Sequence, residues 1–359
     1  CPQRPEGSGL GTKHSTSAIT SALFTASLFG GGAEGCVVGR RVQTMGTILW
    51  LEVRAEDRAL GLAATEDALR AVEEARERLS TWTAESELSR FMASGVDAEF
   101  ELSALLAREL VEARRLSELT GGAFDPSIGA LTRAWGLRSG GRRPGAGEIE
   151  RAMAECGADL WQIEGCIAVR RRAGLVIDEG GFGKGAALDQ ALVALAAAGI
   201  ETAELNLGGQ LAFLGETVRV VPIADPADRG AVLLEITVRG GSVATSANTE
   251  QAGHLLDPRT GRPAWDFGSV TVWAADALGA DALSTGLFVM GPEAGLALAE
   301  ELPGVEAVFI LSDGPAREFR VTSGLREHTR SLVEGVLLTT ATETARPEGG
   351  DSLKTPHKK

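Results

Sequence analysis

Apolar and polar positions alternate along Val42–Val53 (VQTMGTILWLEV), with β-branched residues among them, which predicts a strand. From Asp57 to Leu79 the apolar positions instead recur at helical spacing, with Glu and Arg facing outward between them. Ser103–Leu119 repeats that pattern and stops at Gly121-Gly122, where residues free to take positive φ are expected to end a helix. A short helix is expected at Gly147–Cys156. Strands follow near 161–178, 202–207, 211–222, 231–239 and 268–274, with helices at 184–198 and 280–301 and two more strands near 305–321. Helices and strands mix without strict alternation, so the expected fold class is α+β rather than a doubly wound sheet. No repeat of fixed period runs through the chain.

The two ends read differently from the body. Residues 1–40 are rich in Gly, Ser, Thr and Ala and are expected to form a flexible tether. Residues 341–359 have almost no apolar side chain beyond their start and are expected to be disordered, which leaves 41–340 as the folded domain. The first residue is Cys1, which allows two expectations: a boundary of the piece of chain, or the cysteine left by bacterial lipoprotein processing. The second would place the protein in the periplasm or elsewhere outside the cytoplasm, touching a membrane only through an N-terminal lipid; a cytoplasmic location is the alternative.

Composition narrows the function. The 359 residues carry 35 Lys+Arg against 49 Asp+Glu, a net charge of −14, so most of the surface would repel a phosphate backbone and no nucleic-acid partner is expected. No apolar run reaches the ~18–20 residues that span a bilayer. The four cysteines form no C-x-x-C pair, which excludes a zinc ribbon or a thioredoxin-like centre, though Cys156 and Cys166 could pair. Lysine occurs at only five positions, and Lys184 alone falls inside the expected domain.

Five stretches are more specialised than connections need to be. Gly121–Trp135 (GGAFDPSIGALTRAW) sets two glycines, Phe124 and Asp125-Pro126 in a tight turn that either lets backbone approach a ligand or simply closes a helix. Leu175–Asp189 (LVIDEGGFGKGAALD) places glycines and Lys184 at a helix start, where amide N–H groups and an ammonium suit a phosphate. Gly185 follows the lysine where a Walker A loop needs Ser or Thr. Gly181, Gly183 and Ala186, with Glu204 about 20 residues on, satisfy a loose dinucleotide pattern, but Asp178-Glu179 stand where a pyrophosphate would approach. Leu205–Gly215 (LNLGGQLAFLG) interrupts a strand pair with Gly208-Gly209, as a hairpin or as a close passage for a ligand. Ser242–Pro263 holds His254 near Asp257, a general base or a loop histidine. Ala280–Phe288 opens a helix on which Asp281 and Thr285, four apart, share a face and offer two hard oxygen ligands suited to magnesium; a helix cap explains Asp281 alone.

In order, across roughly residues 42–325, these stretches resemble the ApbE family of FAD:protein FMN transferases. The family's Met-Gly-Thr is Met45-Gly46-Thr47, its aromatic with Ser-x-Leu-Ser is Trp82 with Ser86–Ser89, and its Gly-Gly-Ala-Phe-Asp-Pro is Gly121–Pro126. Asp-x-Gly-Gly-x-x-Lys-Gly-x-x-x-Asp appears as Asp178–Asp189, Asn-x-Gly-Gly as Asn206–Gly209, His-x-x-Asp-Pro-x-Thr-Gly as His254–Gly261, and Ala-Asp-Ala-x-x-Thr as Ala280–Thr285. The resemblance implies a single α+β domain with a flavin cleft between two subdomains. It implies an enzyme that takes FAD as substrate and Mg²⁺ as cofactor, moves FMN to a Thr or Ser hydroxyl of an acceptor protein such as a membrane redox subunit, and releases AMP. By the same resemblance Gly183, Asp281 and Thr285 would hold the metal, Lys184 would face phosphate and His254 would be the base. Met45, Trp82, Ala123, Phe124, Asp125, Lys184, Ala186 and Leu255 would line the FAD site. Three positions depart from the pattern: Gln210 stands for an acidic residue, an aromatic is lacking within Thr245–Glu250, and Gly253 replaces the first of two histidines. Alternatives are an FAD pyrophosphatase giving FMN and AMP, a non-catalytic FAD-binding lipoprotein, and a Rossmann-type oxidoreductase.

Overall fold

The computed structural model describes residues 35–248, 253–313 and 316–340. The described residues open with a hairpin of β1 (Cys36–Thr44) and β2 (Thr47–Ala55), then α1 (Arg58–Leu79), α2 (Glu87–Ala93), β3 (Glu99–Glu101) and α3 (Ala104–Leu119). Short helices α4 (Gly129–Ala134) and α5 (Ala146–Met153) lead to the β4 (Trp161–Glu164) and β5 (Ile167–Arg170) hairpin, and a 3₁₀ turn at Glu179–Gly181 enters α6 (Gly183–Ala197). Strands β6 (Thr202–Leu207), β7 (Gln210–Ala224) and β8 (Val232–Ala247) follow, with the small hairpin β9 (Leu256–Asp257) and β10 (Arg262–Pro263) and then β11 (Gly268–Ala274). Helices α7 (Ala277–Met290) and α8 (Pro292–Glu301) precede β12 (Val305–Asp313), β13 (Ala316–Val321), β14 (Thr329–Ser331) and β15 (Leu337–Thr340).

The main sheet runs β1-β2-β6-β7-β8-β11-β12-β13-β15, with β14 added to β8. All its pairings are antiparallel except β13 with β15. A second, three-stranded sheet is ordered β3-β5-β4. This is the expected α+β class, and it removes the dinucleotide-fold alternative, which requires parallel strands joined by crossover helices. Glu204, the acidic residue that alternative needed on a ribose, is instead buried against Arg219 at 3.2 Å.

Alternation along β2 decides what each face meets. Leu49, Leu51 and Val53 point inward onto Val72 of α1 and Leu188 and Leu195 of α6 in one apolar cluster. A second cluster gathers Phe91, Leu106, Leu110, Trp161, Phe182, Phe288 and Phe309 around α7 and the β11–β12 half of the sheet. Caps mark the helix starts: Asp57, Ser103 and Asp276 each accept an amide N–H three residues on.

Several expected elements are corrected. Val42–Val53 is two strands, because Met45 and Gly46 take φ of 47° and 73° and form a two-residue hairpin turn; β1 starts at Cys36, inside the stretch read as a tether. The strand expected over 161–178 breaks at Gly165 (φ 61°) into β4 and β5, and the chain beyond makes no strand, its β-pairing limited to the isolated bridge of Ile128 with Val176 while Leu175 and Ile177 bury in the core. The helix expected at 280–301 begins at Ala277 and is divided by Gly291-Pro292, since proline supplies no N–H to continue it. Cys36, Cys156 and Cys166 are free thiols, so the Cys156–Cys166 pairing is not made, and burial pushes the Cys156 thiol up to about 12. Cys1, the rest of the expected tether to residue 34 and the 341–359 tail lie outside the described residues. Among the described residues no helix is long and apolar enough to cross a membrane.

Candidate active site

The site grows from one close contact between helices. A Cβ at Gly185, in the first turn of α6, would fall 2.1 Å from the Ala277 carbonyl oxygen at the start of α7, so only glycine allows this approach. One turn on, the Asp189 carboxylate accepts the Ala277 and Leu278 amides at 2.7 and 2.9 Å. From the sheet, Gln210 Nε2 donates to the Ala277 carbonyl at 2.7 Å. Residue 277 is thus held by both its N–H and its C=O. Gln210, a departure from the family pattern, serves as part of this clamp, although its Oε1 is buried with no hydrogen-bond partner among the described residues. Burial raises the Asp189 pKa to about 6, against the stabilising pull of the two amides.

This clamp brings Lys184 and Asp281 together. Lys184 Nζ lies 3.1 and 3.3 Å from the two Asp281 carboxylate oxygens, and the Gly185 amide donates to Asp281 Oδ2 at 3.2 Å. Asp281 is buried while the lysine is half-buried, so the carboxylate has the ammonium as its bridge to the open side. One turn along α7, the Thr285 hydroxyl donates to the Asp281 carbonyl at 3.3 Å and keeps its own lone pairs for another partner. Ser284 donates to the same carbonyl at 2.9 Å and shares a 2.9 Å hydrogen bond with Ser246 of β8.

Glycines of the 181–185 turn admit the remaining groups. The Cβ position of Gly181 is 3.1 Å from the Phe124 ring and 3.6 Å from Thr285 Oγ1, and that of Gly183 is 3.9 Å from the Met45 terminal methyl. The left-handed backbone of Met45 is thus what turns the β1–β2 hairpin tip toward α6. Phe124, Ala186 and Leu255 belong to one apolar cluster, and Ala123 is buried beside it. Asp125 is inward-facing and committed: its Oδ1 accepts the Ser127 amide and hydroxyl, both at 2.8 Å, and burial raises its pKa. The geometry there is a closed Asx turn.

His254 sits on the loop before β9, half-buried. That loop is held by two hydrogen bonds, Ala264 N to the Leu255 carbonyl at 2.8 Å and Leu255 N to Asn248 at 3.4 Å, and the β9–β10 turn after it by the Trp135 indole, which donates to the Gly261 carbonyl at 2.9 Å. Asp257 gives its carboxylate to Arg259, at 2.9 Å.

Sequence reasoning missed Arg138. From the 3₁₀ turn after α4 its guanidinium reaches Asp178 at 3.0 Å and Glu179 at 3.5 Å, and it lies 4.7 Å from the centre of the Trp82 ring, which is 70% exposed. Glu179 also accepts from the Thr81 hydroxyl. No motif includes Arg138; the signal was the unexplained acidic pair Asp178-Glu179, which called for a cation.

Among the described residues no group of three or more His, Cys, Asp or Glu is arranged as a metal centre. A mixed set remains. Asp281, Thr285 and a carbonyl of the glycine turn are hard oxygen donors that fit magnesium, and the buried carboxylate, here neutralised by an ammonium, has the charge to attract a cation.

An antiparallel α+β scaffold with a glycine turn, a lysine–carboxylate pair and a threonine one helical turn away places the chain with the transferase enzymes whose solved structures it matches. The flavin transferase ApbE from Vibrio cholerae aligns with a TM-score of 0.74 at 27% identity, covering 82% of this chain and 99% of that one. The apo flavinyl transferase ApbE of Pseudomonas stutzeri aligns at 0.73 and 25% identity, covering 83% and 98%. In sequence, a FAD:protein FMN transferase from Treponema pallidum is 30% identical over 84% of this chain and 91% of its own length; one from Vibrio cholerae is 32% identical over 71% and 81%. The ApbE family model matches residues 45–309. The chain belongs to the ApbE family.

Proposed function

We propose that this protein is a magnesium-dependent FAD:protein FMN transferase, which moves FMN from FAD to a Thr or Ser hydroxyl of an acceptor protein and releases AMP. The observation that carries the reading is the Lys184–Asp281 pair at the N-terminus of α6, one turn from Thr285. Lys184 and the Gly183 and Lys184 amides that open α6 bind the pyrophosphate of FAD, since an ammonium and a helix N-terminus both favour anionic oxygen. Met45, Trp82, Ala123, Phe124, Asp125, Ala186 and Leu255 form the walls for its rings. Asp281, Thr285 and the Gly183 carbonyl hold the metal, which when bound supplies positive charge beside the phosphates.

In the transfer the acceptor oxygen forms a bond to the FMN phosphorus as the bond from that phosphorus to the bridging oxygen breaks, and AMP leaves with that oxygen. His254 takes the hydroxyl proton, a role open to an imidazole near neutral pH. Lys184 balances the charge gathering on the departing phosphate.

The test is incubation of the full chain with FAD, magnesium and a threonine peptide, read by mass. Peptide carrying FMN, with AMP in equal amount and neither formed in excess chelator, is the expected result. FMN and AMP released equally with and without peptide would make the protein a pyrophosphatase; FAD retained unchanged would make it a carrier.

A further inference from the structure

Asp178 and Glu179 place two carboxylates at the mouth of the turn that leads into α6, six and five residues before Lys184, where a transferase has to admit the charged phosphates of FAD. Bare, they would repel the ligand that Lys184 attracts. Both are largely shielded, with side chains 12% and 13% exposed, and the cation that spans them is Arg138, at 3.0 and 3.5 Å. Asp178 is committed to the fold as well, since its Oδ1 accepts the Gly180 amide at 3.0 Å and caps the 3₁₀ turn. Glu179 is tied to Thr81 through that residue's amide and hydroxyl. Glu179 therefore ties the turn to the segment after α1, Asp178 caps the turn itself, and both carboxylates are held where an incoming anion would meet them. The same guanidinium stacks on Trp82, which leads the chain on from Thr81 and keeps its ring mostly open to solvent.

We propose that Arg138 is a positioning residue for FAD: it screens the Asp178–Glu179 pair from the pyrophosphate and braces the Trp82 ring at the site's rim, without itself contacting the phosphates. This deepens the transferase reading and rests on it. The electrostatic argument is one of net charge. Three groups, one cation and two anions, leave a single negative charge at the rim; losing the arginine leaves two, and neutralising Glu179 in the same chain returns the balance to one. A unit charge about 10 Å from a phosphate, at the effective dielectric of a protein surface, changes anion binding by roughly tenfold, and salt removes most of that.

Binding of FAD and of riboflavin is measured on the full chain as Arg138→Gln, as Glu179→Gln and as the double variant, at low salt and at high salt. Arg138→Gln is expected to weaken FAD roughly tenfold at low salt and about twofold at high salt. Riboflavin, which lacks the phosphates, should lose much less, and its retention shows that the variant is folded. The double variant should recover FAD binding to within about threefold of wild type, and Glu179→Gln alone should bind FAD at least as tightly as wild type. If the double variant is no better than Arg138→Gln, the guanidinium acts by direct contact and screening is refuted. If Arg138→Gln binds FAD as wild type does, Arg138 has no part in the site. Wild type that binds neither ligand would instead defeat the transferase reading, an outcome separate from both.

Discussion

Lys184 Nζ spans both carboxylate oxygens of Asp281 at 3.1 and 3.3 Å, a contact that crosses 97 residues of sequence and joins the first turn of α6 to the first turns of α7. The pair has a double meaning for the chemistry. With no phosphate present the ammonium neutralises the buried carboxylate; an incoming pyrophosphate competes for the ammonium, and the carboxylate it leaves is then free to take a cation. Phosphate and metal binding should therefore favour one another.

Lys184→Met tests the first half of that exchange. FAD binding is expected to fall at least ~10-fold while riboflavin binding changes little, because riboflavin offers no phosphate for the ammonium to meet, whereas the loss of the Lys184–Asp281 pair is common to both titrations. Titration of both ligands by flavin fluorescence decides it, and equal losses would move Lys184 away from the phosphates.

His254→Ala should leave FAD affinity near wild type and slow FMN transfer at least ~100-fold, the lower end of what a positioned base contributes. Single-turnover rates at saturating FAD separate this from a binding defect. Should rate and affinity fall together, the imidazole is a contact residue, and the carboxylate of Asp178, beside the glycine turn, is the next group to test as a base.

Gly185→Ala is expected to destabilise the protein by about 2–3 kcal/mol, the upper range for overpacking, since its methyl would meet the Ala277 carbonyl at 2.1 Å and backbone cannot yield as a side chain does. Urea denaturation would measure it. Gly147→Ala, whose Cβ position meets only an Arg151 side-chain tip at 3.6 Å, is the control expected to be near neutral.

Asp189 should make stability depend on pH in the direction opposite to a salt-bridged acid. Burial holds its pKa at about 6 in the folded chain against 3.8 for an ordinary aspartate, so between those values the folded state binds more protons than the unfolded one. The stability this gives at low pH is lost as pH rises through 3.8 to 6. Relative to Asp189→Asn, which carries no charge at either pH, wild type should lose about 1–3 kcal/mol between pH 4 and pH 7, measured by denaturation at both. A gain over that interval would mean the two amides outweigh burial.

Local periodicity and the ordered glycine and acid motifs are legible in the residues alone. Asp57–Leu79 and Ser103–Leu119 declare themselves because each has a long apolar stripe and a capping side chain at its start. Glu87–Ala93 and Gly129–Ala134 do not, being too short to show a period and stabilised by burial of Leu88, Phe91 and Leu131 in tertiary contacts. The site divides in the same way. Lys184, Asp281 and Thr285 stand in glycine-marked or turn-spaced contexts, whereas Arg138 is one arginine among many and acquires meaning only from what lies 3.0 Å away. Asp189 as a cap for another helix, and Gln210 as a holder of Ala277, are likewise facts of packing that no local pattern encodes.

The pairing of β2 with β6 sets the order in which this molecule can come into being. Leu49 meets Leu207, so the first hairpin stays without its inner neighbour until 158 further residues have been made, and the turn at Gly183 that Met45 approaches comes only 138 residues after it. Contacts of such long range close slowly, because the loop entropy is lost before any burial repays it. Until α6 and β6 emerge from the ribosome, Leu49, Leu51 and Val53 have only α1 to pack against, and apolar surface left open in such an interval is prone to aggregation.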